Sequence, residues 1–110
     1  MARAATTSDA FNAVAEPLRR EILSYLAPRE RAVGDIVARL GVRQPSVSKH
    51  LSVLLRVGLV QVRRDGRRKL YRTHTAAIRP LHDWTSTFER YWGDQLHRIK
   101  ERAERKAKSS

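Results

Sequence analysis

Arg43-Gln44-Pro45-Ser46-Val47-Ser48-Lys49-His50-Leu51-Ser52-Val53-Leu54-Leu55-Arg56 has the pattern of an amphipathic helix with a polar, cationic outer face. Val47, Leu51, Leu54 and Leu55 fall at i, i+4, i+7 and i+8, the stripe that a helix buries against a core. At about 100° per residue the opposite face carries Pro45, Ser46, Lys49, Ser52, Val53 and Arg56, with Ser48 and His50 on its flanks. That face is polar and cationic, and its serines are short enough to allow close approach. It suits the DNA major groove, where short hydrogen-bonding side chains and long cations reach base edges and phosphates. A helix with a merely solvated outer face has the same pattern, so the flanking segments must decide.

Working back from Arg43, Val33, Ile36, Val37 and Leu40 recur at helical spacing, and Gly41 sits where a helix ends on a residue free to take positive φ. Only Val42 and Arg43 then separate this helix from the next. Two short helices joined by a tight Gly-containing turn form the helix-turn-helix pattern. Upstream of the loop Arg29-Glu30-Arg31, a further helix carries Leu18, Ile22, Leu23, Tyr25 and Leu26, with Pro17 in its first turn and Pro28 as its stop. A first short helix shows Phe11, Val14 and Ala15 on one side, with Ser8 or Asp9 as N-cap. Residues 1–8 are expected to be flexible.

Beyond Arg56, Gly58 closes the helix and Leu59-Val60-Gln61-Val62 turns strand-like. Asp65-Gly66 is a hairpin turn signal, and Leu70, Tyr71 and Thr73 carry the return strand. Between Arg63 and Arg72 there are six Arg or Lys against one Asp, and Arg63, Arg64, Arg67, Arg68 and Lys69 crowd the turn. A surface hairpin using charge against edge pairing would need fewer. Five cations at one turn repel each other unless a polyanion is present, which points to phosphate.

From about Pro80 to Lys106 the chain reads as one long helix. Leu81, Trp84, Phe88, Tyr91, Trp92, Leu96 and Ile99 form its stripe, holding four of the seven aromatic residues in the chain. So small a domain cannot bury all of that stripe, so a second copy is expected to cover it; folding back on its own domain is the alternative. The charged remainder reads as a solvated helix end, with residues 107–110 frayed.

The 110 residues allow one domain, read as a DNA-binding unit over 9–79 with the long helix over 80–106 completing it. Lys and Arg number 23 against 11 acidic residues, a net charge of +12 that favours nucleic acid first and an anionic membrane second. The absence of Cys excludes disulfides, thiolate metal sites and a cysteine nucleophile. No apolar run is long enough for a membrane span, and the expectation is a cytoplasmic chain.

Ala13-Val14-Ala15-Glu16-Pro17-Leu18-Arg19-Arg20-Glu21-Ile22-Leu23, Ser46-Val47-Ser48-Lys49-His50-Leu51, Leu54-Leu55, Gly58-Leu59-Val60 and Arg63-Arg64-Asp65-Gly66-Arg67 together resemble the ArsR/SmtB family of bacterial winged helix-turn-helix repressors. The resemblance covers residues about 11–74 and, less specifically, the long helix. It implies a mainly α fold of about five helices with a two-stranded antiparallel wing. It also implies a homodimer on an inverted-repeat operator, with half-sites about 34–36 Å apart. In that arrangement Phe11, Val14 and the stripe from Leu81 to Ile99 form the dimer interface.

Two departures stand out. Family members often place Ser or Thr at the N-cap of the reading helix, where this chain has Arg43. Metal-responsive members carry a Cys box where this chain has Ala32-Val33-Gly34-Asp35, or a histidine set on the last helix that His82-Asp83 and His97 with Glu101 do not reproduce. The aromatic words Asp83-Trp84 and Tyr91-Trp92 are similar to those of metal-independent members. No metal, cofactor or membrane partner is expected, although His82 and His97 meeting across a dimer would offer zinc ligands from two chains.

The leading functional reading is a sequence-specific repressor of transcription. Gln44, Ser46 and Lys49 are expected at base edges. Arg43, Pro45 and Ser52 share that face, and Ser48, His50 and Arg56 serve phosphate or support. Arg63, Arg64, Arg67, Arg68 and Lys69 hold the adjacent backbone or minor groove. A general architectural nucleic-acid binder is the alternative. An enzyme is not expected, because the chain has no Cys, no Gly-rich phosphate loop and no H-E-x-x-H.

Overall fold

The computed structural model describes residues 7–109, and the side chains of Thr7, Leu96, His97, Lys108 and Ser109 lie outside that description. The chain runs α1 (Thr7–Val14), α2 (Pro17–Leu26), α3 (Val33–Leu40), α4 (Gln44–Arg56), β1 (Val60–Asp65), β2 (Arg68–Thr73), a 3₁₀ turn (Thr75–Ile78), α5 (Arg79–Ser86) and α6 (Glu89–Ser109). This is a winged helix-turn-helix. The flexibility expected of residues 1–6 lies outside the described residues, while Thr7 and Ser8 already belong to α1. Ser8 and Asp9 are therefore inside the helix and not at its N-cap.

The core collects one face from each central element. Ile22, Leu23 and Leu26 of α2, Ile36 of α3, and Val47, Leu51 and Leu54 of α4 are buried together with Leu59 and Val60. The stripe read from α4 is thus the buried one, with Leu55 half-buried at its margin. Among the described residues Thr73 is the buried polar one, and its hydroxyl donates to the Leu23 carbonyl at 2.7 Å, so the end of the wing is tied to α2.

Local geometry aims the elements. Pro17 stands in the first turn of α2, where a missing N–H costs nothing. The Asp35 carboxylate accepts from the Ala32 N–H at 3.1 Å, which is half of a capping box; the Ala32 side chain has no atom to complete it. Gly41 ends α3 at φ 66°. At the end of α4, Gly58 takes φ 81°, its N–H bonds the Leu55 carbonyl and the Leu59 N–H bonds the Leu54 carbonyl. That pair of bonds is the Schellman motif, which turns the chain sharply and drops Leu59 into the core beside Leu54. A side chain at position 58 would strain this exit.

Two expectations are corrected. The hairpin pairs Asp65 with Arg68, so Gly66-Arg67 is the two-residue loop and Asp65 is the last strand residue. Gly66 at φ 64° is alone in having positive φ, as a II′ turn requires, whereas an Asp-Gly loop would need it at both central positions. Arg31, read as loop, also joins the wing: its N–H and carbonyl exchange bonds of 2.9 and 2.8 Å with Tyr71.

The larger correction is that the long helix is two helices. Thr85, Ser86 and Thr87 donate side-chain hydroxyls to the carbonyls of His82, Asp83 and Trp84 at 3.0, 2.8 and 2.7 Å. Three consecutive back-bonds compete with the helical ladder, and the backbone tightens to i−3 bonds at Thr87 and Phe88. The chain restarts as α6, with the Phe88 carbonyl accepting from Tyr91 and Trp92.

Candidate nucleic-acid interface

Outward from the core, α4 presents Gln44, Pro45, Ser48, Lys49, Ser52 and Arg56 exposed, Ser46 and Val53 half-exposed. The outer face read from the sequence is therefore a continuous polar and cationic strip. Arg43 occupies the N-cap without a side-chain bond to the helix, which leaves its guanidinium available at the end where backbone amides face outward. The Ser52 hydroxyl donates to the Ser48 carbonyl at 3.0 Å and keeps its oxygen lone pairs for an incoming donor.

His50 lies at the flank, half-buried, and accepts at Nδ1 from Arg19 Nε of α2 at 3.1 Å. Its Nε2 is then the proton-bearing nitrogen. Arg19 was missed in the sequence because a partner 31 positions away leaves no local spacing signal.

The wing carries its charges unevenly. Arg64 stands directly across from Lys69, a like-charge pair that is destabilising unless an anion joins it. Asp65 stands across from Arg68, and Arg67 occupies the turn. Arg63 differs from the other four. Its Nε donates to Glu30 at 2.8 Å and 3.0 Å, and a second guanidinium nitrogen pairs with the same carboxylate, latching the base of the wing to the loop before α3. Both partners shift accordingly. The hydrogen bond from Arg63, then the charges of Arg63 and Arg72, holds the Glu30 carboxyl below its ordinary 4.5, and the same bond raises Arg63.

The latch is therefore expected to be complete above pH 4.5 and to open as pH falls through Glu30's lowered value. Its contribution to global stability is small because both groups are solvated. Wing order parameters from 15N relaxation should fall in that acid window, and Glu30→Gln should show the loosened wing at every pH. A wing equally rigid in both chains across the range would contradict the assignment.

The second candidate surface is aromatic. Phe11 and Trp84 meet edge to face at 5.4 Å, Trp84 meets Phe88 likewise at 5.4 Å, and Phe88 stacks on Trp92 at 6.4 Å. This ladder links α1, α5 and α6 into one face. Trp84 packs on Phe11 of its own domain, yet Trp84 and Tyr91 remain 54% and 57% exposed and Ile99 61%, so much of the face is left uncovered. Leu81 is half-buried, Val14 packs toward the core, and the Leu96 side chain lies outside the described residues.

No helix among the described residues is long and apolar enough to cross a membrane. Among the same residues no group of three His, Cys, Asp or Glu is placed to hold a metal, and His82 is exposed.

The family model described as "Bacterial regulatory protein, arsR family" matches residues 16–62, from the start of α2 into β1. The chain is 41% identical over 66 residues to the "Probable mercury resistance operon repressor" of Streptomyces lividans, covering 60% of this chain and 53% of that protein. It thus spans about half the length of that relative. Among solved structures it is similar to an ArsR-like transcriptional regulator from Rhodococcus sp. RHA1, with TM-score 0.68, 29% identity and coverage of 88% and 89% of the two chains. It is also similar to the homodimeric winged helix-turn-helix DNA-binding domain of a "possible ArsR-family transcriptional regulator" from Mycobacterium bovis. There the TM-score is 0.63 and the identity 32%, over 74% of this chain and 78% of that one.

Proposed function

The chain belongs to the arsR family of bacterial regulatory proteins, and from that premise we propose that it is a homodimeric, sequence-specific DNA-binding repressor of transcription. The observation that carries the reading is the exposed polar and cationic strip on α4, accompanied by the like-charged Arg64–Lys69 step of the wing. One surface offers short polar groups for base edges, the other self-repelling cations for phosphates. The homodimeric relative supports the pairing of the aromatic face with a second copy, which would present two reading helices to two half-sites.

In this reading Gln44, Ser46 and Lys49 meet base edges. Arg43, Arg56, Arg64, Arg67, Arg68 and Lys69 meet the backbone, Arg63 instead holds the wing through Glu30, and Arg19 fixes His50 for a phosphate. Mercury appears in the name of the Streptomyces relative; this chain has no Cys, and we read its control as independent of thiophilic metals.

Two classes of variant test these roles on operator DNA. Lys49→Ala is expected to cost about 1–3 kcal/mol and to relax the preference at one base pair. Arg64→Ala should weaken all sequences alike and reduce the slope of log K against log salt by about 1. Fluorescence anisotropy with cognate and scrambled duplexes separates the two. Identical behaviour of both variants would favour a general architectural binder.

A further inference from the structure

A cleft of about 970 Å³ opens on the far side of α2, between that helix and the end of α3. Its walls include Arg20, Glu21, Ser24, Tyr25, Arg31 and Arg39, three arginines to one glutamate, with the Arg20 guanidinium donating to the Val14 and Ala15 carbonyls. Arg31 is held firmly there. Its backbone is bridged to Tyr71, and its guanidinium lies over the Tyr25 ring at 4.5 Å, with that of Arg39 at 6.0 Å from the same ring. Arg31 Nε is buried and finds no hydrogen-bond partner. Among the described residues neither Arg31 nor Arg39 has a carboxylate within ion-pair reach.

Two cations over one neutral ring are poorly compensated. Cation–π attraction offsets part of their cost, on the order of 0.5–2 kcal/mol each, but leaves the charge itself unbalanced. Rigid guanidinium forks match the oxygens of a phosphate group, and the Ser24 hydroxyl adds a donor at the rim. The local excess of two positive charges equals the charge of a phosphate dianion.

We propose that this cleft is a phosphate-binding site, with Arg31 and Arg39 as the residues that hold the group. It is separate from the reading face of α4 and does not depend on the repressor reading. Arg39 lies two residues before Gly41, whose turn aims α4, so an occupant would sit against the element that sets the reading helix.

The test is a calorimetric titration of the full chain with inorganic pyrophosphate at matched ionic strength. Saturable one-to-one binding is expected, weakened at least tenfold in Arg39→Gln and in Arg31→Gln. It should be retained in Arg102→Gln, which loses the same charge from the exposed part of α6. Arg39 is exposed, so its variant is expected to fold even where Arg31→Gln does not. No saturable binding, or equal weakening in all three variants, would overturn the site. The salt slope of DNA binding then identifies the source of the phosphate. A slope lowered by about 1 in Arg39→Gln assigns the cleft to the duplex backbone, and an unchanged slope assigns it to a free phosphorylated molecule.

Discussion

A chain carrying Phe88→Asp and Trp92→Asp is expected to run as a monomer and to lose roughly 10²–10⁴ in apparent affinity for an inverted-repeat operator. The size follows from linkage between half-sites. Once one reading helix is seated, its twin meets the second half-site at an effective concentration set by the dimer, and a monomer forgoes that gain. The two residues stack at 6.4 Å on the exposed aromatic face and lie outside the core cluster, so the domain itself should remain folded. Carboxylates placed in the centre of an apolar interface would be desolvated without partners. Analytical ultracentrifugation gives the oligomeric state, anisotropy the affinity, and circular dichroism the fold. A folded monomer that bound as tightly as the parent chain would remove the dimer from the account.

Leu54→Ala carries the largest expected loss of stability, about 2–5 kcal/mol. Leu54 is fully buried beneath α4 and touches the point where the Schellman exit drops Leu59 into the core. Small domains have about 5–15 kcal/mol in total, so this single truncation would consume much of it. Val53→Ala, one position earlier on the half-exposed side, should change stability by only about 0.5 kcal/mol. Urea denaturation followed by tryptophan fluorescence compares them, and equal midpoints would mean that the core does not lie where α4 is buried.

Much of this architecture is legible in the chain because its signals are local. Val47, Leu51 and Leu54 repeat at helical spacing, Gly41 and Gly58 mark helix ends, and the apolar run at Leu59 switches period. What was not legible depends on competition or on distance. The hydroxyls of Thr85, Ser86 and Thr87 break the last helix from within, while the aromatic stripe on either side continues at helical spacing and hides the break. Asp65-Gly66 is a strong turn word, yet the register that suits the flanking strands moves the loop forward to Gly66-Arg67.

The site shows the same division. The exposed residues of α4 follow from periodicity alone. Arg19 with His50 and Glu30 with Arg63 join positions 31 and 33 residues apart, and only the fold brings them together. Among the wing arginines composition cannot separate Arg63, neutralised by Glu30, from Arg64, set against Lys69. That distinction sets Arg63 apart from Arg64, whose cross-strand partner is a second cation.

Sequence-specific repression is tested by binding of this chain to duplex DNA from immediately upstream of its own gene, titrated against salt and against random competitor. A steep linear fall of log K with log salt is expected, about 0.9 for each phosphate-bound cation, with a preference for the cognate duplex of at least roughly 10³. Binding that ignored both salt and sequence would contradict it.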